Sequence, residues 1–548
     1  MTRSSTDNPW WQTATGYQIW PRSFQDSDGD GIGDLAGIVS RLDHLAELGI
    51  GFVWLSPVYA SPQRDMGYDI SDYRDIAPEY GTLDDMDRLI AAARARGIGI
   101  VMDLVVNHSS DRHAWFRSAR RSRDAPERDY YVWRDPGPDG GPPSDLGACF
   151  GGPAWNWSEE TGQYYLGYFS AFQPDLNWQN PALRAEIWDM MNWWFARGIA
   201  GFRMDVISLI GKDVDAGVFE EGPDLHRFLQ EMHAETLRGR DVVTIGESWS
   251  VSRRTAPLYC APDRRELDMV FQFNHIKAGW DDTHGKWKPR PRDLVSLKRE
   301  LFAWQEALAG DGWNSLFLSN HDLPRQVSKY GDDGAWRVRS ARCLATVIHL
   351  MRGTPFIYQG EEIGMPNTRV SSLDQFRDLE TLGHWEEQRK RGTTWDAFLA
   401  GANENGRDTS RTPVHWSDAP NAGFTTGTPW IGVNPDYPAI NVARDRADPD
   451  GVFAHYKRLV AARTERLLVS HGTFQGFAED HPQIVAYARR LGSERLSVVA
   501  NMSGQPVRFD VPRALAVTGK PLSWSVAPRD SIQGTMQLEP WEAVAVAG

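Results

Sequence analysis

Short apolar runs alternate along this chain with segments whose apolar residues recur at helical spacing. Runs at residues 17–24, 51–57, 98–107, 201–206, 242–247, 269–274, 316–319 and 355–358 predict eight strands. Between them lie amphipathic helices such as 83–96, closed by Gly97, and 181–197, closed by Gly198. Strand–helix units repeated eight times predict an α/β fold, a parallel (β/α)8 TIM barrel enclosed by its helices.

Two intervals break this rhythm. Residues 109–172, rich in Arg, Asp, Gly, Pro, Trp and Tyr, fall between the third and fourth strands and exceed an ordinary strand–helix loop. They read as a small inserted domain over the barrel mouth. A second excursion, 367–442, follows the eighth strand and reads as long loops with some helix. After a helix at 451–463, short β-type segments at 484–489, 496–501, 507–511 and 543–547 predict a C-terminal antiparallel β domain with a packing role. The expected division is therefore barrel 1–108, insert 109–172, barrel 173–466 and β domain 467–548.

Composition narrows the function. A net charge of −14 argues against nucleic acid and fits a neutral ligand. The 24 Trp, 16 Tyr and 22 Phe exceed what a generic core needs. Most serve packing, but a pyranose offers a face of C–H groups, and some of these rings suit it. The start, MTRSSTDNPWW, lacks an apolar core of signal-peptide length, and no apolar stretch reaches the ~18 residues of a membrane span. Cys149, Cys260 and Cys343 are odd in number and show no metal-type spacing. A reduced cytoplasmic protein, monomeric or weakly self-associating, with no membrane partner, is the simplest expectation.

Three carboxylates end strands in this row: Asp205 in GFRMD, Glu247 in VVTIGE and Asp322 in LFLSNHD. A lone Asp after a strand ordinarily caps a helix or turn. Three acids at the C-terminal ends of barrel strands instead meet in one pocket, where this fold builds its sites. Cleaving a glycosidic bond needs one carboxylate to attack or stabilise the anomeric carbon and one acid to protonate the leaving oxygen, about 5–5.5 Å apart in retaining enzymes. Arg203 shares a strand face with Asp205 and is expected to hold it ionised. His108 and His321, each after an Asn at a strand end, are placed to hydrogen-bond sugar hydroxyls.

In DLVVNH (103–108), GFRMD, IGES and SNHD (319–322), in that order, the chain resembles the α-amylase family of glycoside hydrolases over nearly its whole length. The resemblance implies Asp205 as nucleophile, Glu247 as general acid/base and Asp322 as the residue that binds sugar hydroxyls and stabilises the transition state. It implies contacts to the cleaved glucose from Asp69, His108, Arg203 and His321, with Asp103 in support. MGYDISDY (66–73), QPDLNW (173–178) and SRTPVHW (410–416) resemble the oligo-1,6-glucosidase and dextran glucosidase branch. There Tyr68 and Asp69 would grip the terminal glucose, Arg411 would join Asp69, and Phe150 and Phe169 would line the pocket. This end-stop implies an exo-acting enzyme on short oligosaccharides. Val206 resembles members preferring α-1,6 bonds, such as that of isomaltose, by blocking a maltose-type leaving sugar. Val414 and His415 stand where the branch usually has Met-Gln, and IGESWS departs after the glutamate, so the leaving-group side stays open. An α-1,4- or sucrose-type glucosidase, and a transglycosylase or sucrose isomerase, would use the same carboxylates. A non-catalytic, transporter-associated scaffold is disfavoured by the complete set of acids.

DSDGDGIGD (26–34) places Asp26, Asp28, Asp30 and Asp34 at positions one, three, five and nine of an EF-hand-like loop, with the Ile32 carbonyl at seven. Gly37 at position twelve rules out a true EF-hand. Such charge density predicts a structural Ca²⁺, with Mg²⁺ the alternative; the resemblance implies the same.

Overall fold

The computed structural model describes residues 8–548; positions 1–7 of the polar start lie outside the described residues. Eight parallel strands are present: β1 Gly16–Ile19, β2 Phe52–Leu55, β3 Gly99–Leu104, β4 Gly201–Met204, β5 Val243–Ser248, β6 Met269–Gln272, β7 Ser315–Leu316 and β8 Thr354–Tyr358. Their order is β6-β5-β4-β3-β2-β1-β8-β7, and a parallel bridge from Val270 to Asn314 brings the two ends together into a nearly closed barrel. Alternate residues face inward, as the pleat requires. Phe52 and Trp54, Val243 and Ile245, and Met269 and Phe271 share one apolar cluster. Val53, Leu55 and Ile19 pack in another with the helices.

The ends of elements follow local chemistry. β1 stops at Ile19, short of the expected residue 24, because Pro21 lacks an N–H and opens a 3₁₀ turn at Pro21–Ser23. Helix α1, Leu35–Leu48, starts where the Asp34 side chain accepts the Gly37 N–H and ends at Gly49 with φ 88°. α2, Leu83–Arg94, opens on a Thr82/Asp85 capping box and closes earlier than expected. α3 spans Pro181–Arg197, as its Pro and Gly198 (φ 99°) predict.

Between β3 and β4 the chain forms a three-stranded antiparallel sheet, with Gln163–Leu166 flanked by Trp133–Arg134 and Trp155–Ser158. The Lys212 ammonium, buried on the β4 side, ties this excursion to the barrel. It lies 2.6 Å from Asn107 Oδ1 and 2.8 Å from Asp175 Oδ2. The excursion after β8 holds two real helices, Leu379–Lys390 and Trp395–Asn405. A five-stranded antiparallel sheet ends the chain, in the order Thr473–Phe477, Ile484–Leu491, Glu494–Asn501, Ala543–Ala547, Lys520–Trp524. Its two edge strands escape the sequence pattern. Thr473–Phe477 buries no residue fully, and Lys520–Trp524 carries Pro521 beside a register shift, as edges tolerate. Among the described residues no helix is long and apolar enough to cross a membrane.

Candidate active site

The C-terminal ends of the strands surround a pocket of about 280 Å³ into which Asp205, Glu247 and Asp322 all open. β4 delivers Asp205, whose N–H donates to Leu104 O of β3 at 3.0 Å. Glu247 lies inside β5, in register with Phe271 of β6. Asp322 follows β7 in a turn where Asn320 Oδ1 accepts its N–H at 2.8 Å.

A single cation serves three of the acids around it. Arg203, 1% exposed, puts Nη1 at 2.8 Å from both Asp103 Oδ1 and Asp205 Oδ1, and Nη2 at 2.7 Å from Glu247 Oε2. Divided three ways, it does not offset desolvation. Burial pushes Glu247 up to about 7 against Arg203, and the Asp205 and Asp322 charges add to the rise. Burial raises Asp205 likewise, against the Arg203 cation that was expected to hold it ionised. Neighbouring acids of this kind ionise in two steps, and a singly protonated pair can offer one carboxylate and one acid together. Asp322 goes the other way. Burial would raise it, but Arg407 Nε at 3.1 Å and Arg411 Nη2 at 3.0 Å hold it below the usual carboxylate range.

One wall is aromatic and imidazole. His321, Trp20 and Tyr68 form one cluster of near-parallel rings, with His321 5.2 Å from Trp20 and 5.4 Å from Tyr68 and those two 6.5 Å apart. Burial keeps its imidazole neutral. Its Nδ1 meets Gln18 Nε2 at 2.7 Å, its Nε2 meets Tyr68 Oη at 2.6 Å, and that hydroxyl donates to Asp103 Oδ2 at 3.1 Å. His108 lines the pocket with its Nε2 3.0 Å from Tyr68 O, and burial lowers it to about 4. Phe150 and Phe169 line the pocket beside it, packed edge to face.

Eight expected residues thus meet in one cavity: the three acids, Tyr68, His108, Phe150, Phe169 and Val206. Arg203, His321 and Arg411 stand behind that wall as supports. Asp69 does not reach the cavity. It is wholly buried and accepts from Ser61 Oγ and from the N–H groups of Arg64 and Asp65. The carboxylate on the wall is Asp65, bonded to Gln173 Nε2 at 2.7 Å, and Arg411 pairs with Asp322 rather than Asp69. Asp69 is the aspartate nearest Tyr68 in sequence, but the turn points Asp65, four residues earlier, inward. Arg407 was also missed, although it stands one helical turn before Arg411.

The opposite side holds residues that the sequence left unassigned. Trp249 stacks on Phe273 at 3.7 Å and lies near Trp280, and its Nε1 donates to Glu247 Oε1 at 3.2 Å. Lys286 pairs with Glu380 at 2.5 Å. Val206 adopts φ 35°, ψ 44°, a left-handed conformation that a β-branched residue rarely takes. That turn aims its N–H at Glu247 Oε2, 3.0 Å away. A larger crevice of about 560 Å³, between the insert and the barrel, contains none of the three acids.

In the loop after β1, ligand oxygens of Asp26, Asp28 and Asp34 lie within 4.8 Å of one another, a donor set that suits a hard cation. Asp30 is not part of this group; its Oδ1 accepts the Ile32 N–H at 2.7 Å. Asp26 is braced by the Gly29 and Gly31 N–H groups and by Thr425 Oγ1.

A protein from Erwinia rhapontici called palatinase is 49% identical over 98% of both chains. An oligo-1,6-glucosidase of Parageobacillus thermoglucosidasius is 48% identical over 97% of this chain and 98% of its own. The crystal structure of Bacillus licheniformis trehalose-6-phosphate hydrolase superposes with a TM-score of 0.94 at 42% identity, covering 98% of this chain and 100% of that one. Residues 18–472, the span that builds the pocket, match the alpha amylase catalytic domain, and the chain belongs to the α-amylase family of glycoside hydrolases.

Proposed function

We propose that this glycoside hydrolase is a retaining exo-α-glucosidase that releases terminal α-1,6-linked glucose from short neutral oligosaccharides such as isomaltose. Asp205 attacks the anomeric carbon while Glu247 gives its proton to the leaving oxygen. Water, deprotonated by Glu247, then cleaves the glycosyl–Asp205 ester and restores both groups. Asp322, kept anionic by Arg407 and Arg411, accepts hydroxyls of the reacting glucose. The wall of Tyr68, His108 and Asp65 closes the far side, so the pocket admits a chain end rather than an internal unit.

Val206 carries the linkage reading. Its branched side chain lines the pocket next to the nucleophile, and its strained turn is held by Glu247. A secondary hydroxyl leaving group brings its ring close to that side chain, whereas a 6-linked sugar stands off by one CH₂. Names of relatives at 46–49% identity, oligo-1,6-glucosidase among them, support the same reading. Neutral substrates are favoured because six carboxylates line the pocket against Lys286 and Arg407, both already paired. The Asp26/Asp28/Asp34 loop would hold a structural Ca²⁺ away from the chemistry.

Val206→Ala and Val206→Thr, assayed on maltose and isomaltose, test the reading. The maltose-to-isomaltose ratio of kcat/KM should rise about tenfold. An unchanged ratio would place linkage selection elsewhere.

A further inference from the structure

The loop after β4 brings to the pocket a carboxylate that the reaction above does not use. Glu220 lines the cavity on the side of Trp249 and Trp280. Its Oε2 accepts from Ser208 Oγ at 2.5 Å and from Ser250 Oγ at 2.8 Å. Ser208 stands three residues after Asp205 and Ser250 three after Glu247. One oxygen therefore joins the loops leaving both reacting strands. The turn behind it is fixed as well. The Glu221 N–H donates to Ser208 O at 3.1 Å, Glu221 adopts φ 49°, and its Oε1 accepts from Tyr259 Oη at 2.9 Å. Among the described residues no hydrogen bond or ion pair reaches Glu220 Oε1. Of the cations nearby, Lys286 pairs with Glu380, whereas Lys277 donates to the Trp249 carbonyl and stays within electrostatic reach of Glu220.

We propose that Glu220 is a specificity-determining residue of the leaving-group side: its free oxygen accepts a hydroxyl of a neutral leaving sugar, and its charge excludes phosphorylated ones. This rests on the side of Val206, Trp249 and Trp280 being where the leaving group sits; it does not depend on the linkage cleaved. A sugar phosphate carries about −1.5 to −2 charges at neutral pH. In the pocket it would face both Glu220 and Glu380, and the two cations of the lining, Lys286 and Arg407, are already paired with carboxylates. A hydroxyl offers the proton that Oε1 lacks.

Trehalose and trehalose 6-phosphate share one scissile bond and differ by a phosphate on the leaving sugar, so their kcat/KM ratio isolates the effect. Glu220→Gln should lower the neutral-to-phosphorylated ratio about tenfold, equivalent to about 1.4 kcal/mol. Glu220→Asp, which keeps the charge, should retain most of the discrimination. Added salt should erode it in the wild type and not in Glu220→Gln. If trehalose turns over too slowly, the same pair serves as competitive inhibitors of p-nitrophenyl α-glucoside hydrolysis, and the ratio of inhibition constants should move alike. An identical ratio in wild type and Glu220→Gln, including equal loss on both compounds, would reduce Glu220 to a brace between loops. A maltose preference in the wild type would overturn the linkage reading and leave this comparison intact.

Discussion

At the scale of single residues, the site is organised by the unequal sharing of positive charge. Asp322 has two guanidinium groups beside it, whereas Arg203 alone faces Asp103, Asp205 and Glu247. The first acid is thereby driven down and Glu247 is left high, near 7. Asp205→Asn and Glu247→Gln should each lower kcat by roughly a thousandfold or more while leaving circular dichroism and melting temperature close to wild type. Retention of a tenth of the wild-type rate would remove the assigned role. A raised acid is protonated below its pKa and loses its proton above it, so kcat/KM should fall above pH about 7, approaching tenfold per unit. A flat profile from pH 7 to 9 would mean that Glu247 is not the proton donor.

Asp205 and Glu247 were readable from sequence, because the ends of β4 and β5 determine where their side chains emerge. Residues that loops fix were readable only in part: Tyr68, Phe150, Phe169 and Asp322 line the pocket as expected, but Asp65 and Glu220 line it unforeseen. Asp65 and Asp69 sit in one turn, and only the fold decides that Ser61 and backbone N–H groups occupy Asp69 while Asp65 opens to the pocket. Glu220 and Glu380 arrive from two separate excursions, with no local pattern to mark them.

At the scale of elements, the apolar runs identify all eight barrel strands because they are buried on both sides, and Pro181 and Gly198 mark α3 to the residue. Edge strands in the C-terminal sheet lack that burial, so their pattern fades. The loop at 26–34 is legible for a different reason: Asp and Gly at fixed offsets let carboxylates turn back on their own backbone. Three of its acids converge, and the fourth faces solvent beside Ile32. If a divalent cation fills this loop, saturating Ca²⁺ at a hundred times Kd stabilises by about 2.7 kcal/mol. Chelation should then lower the melting temperature by a few degrees, with Ca²⁺ restoring it and Asp26→Asn abolishing the response. No shift in either would remove the metal from the account, and restoration by Mg²⁺ alone would change its identity.

At the scale of the whole molecule, the barrel fixes Asp205, Glu247 and Asp322 while two excursions supply the rest of the pocket. The insert contributes Phe150 and Phe169, and the segment after β8 contributes Glu380 and Arg407. Lys212 matters at this scale, because its ammonium joins the end of β3 to the return of the insert and so sets that wall against the barrel. The length and position of both excursions are visible in the sequence; their pairing across the mouth is not, since it depends on contacts between distant segments. On the proposed function, this composite pocket selects α-1,6-linked terminal glucose. Glucose release from isomaltose, maltose, sucrose and trehalose, measured side by side with products resolved by chromatography, tests it most directly. The highest kcat/KM is expected on isomaltose, with glucose as product. Faster release from maltose or sucrose, or transfer products outweighing free glucose, would contradict it.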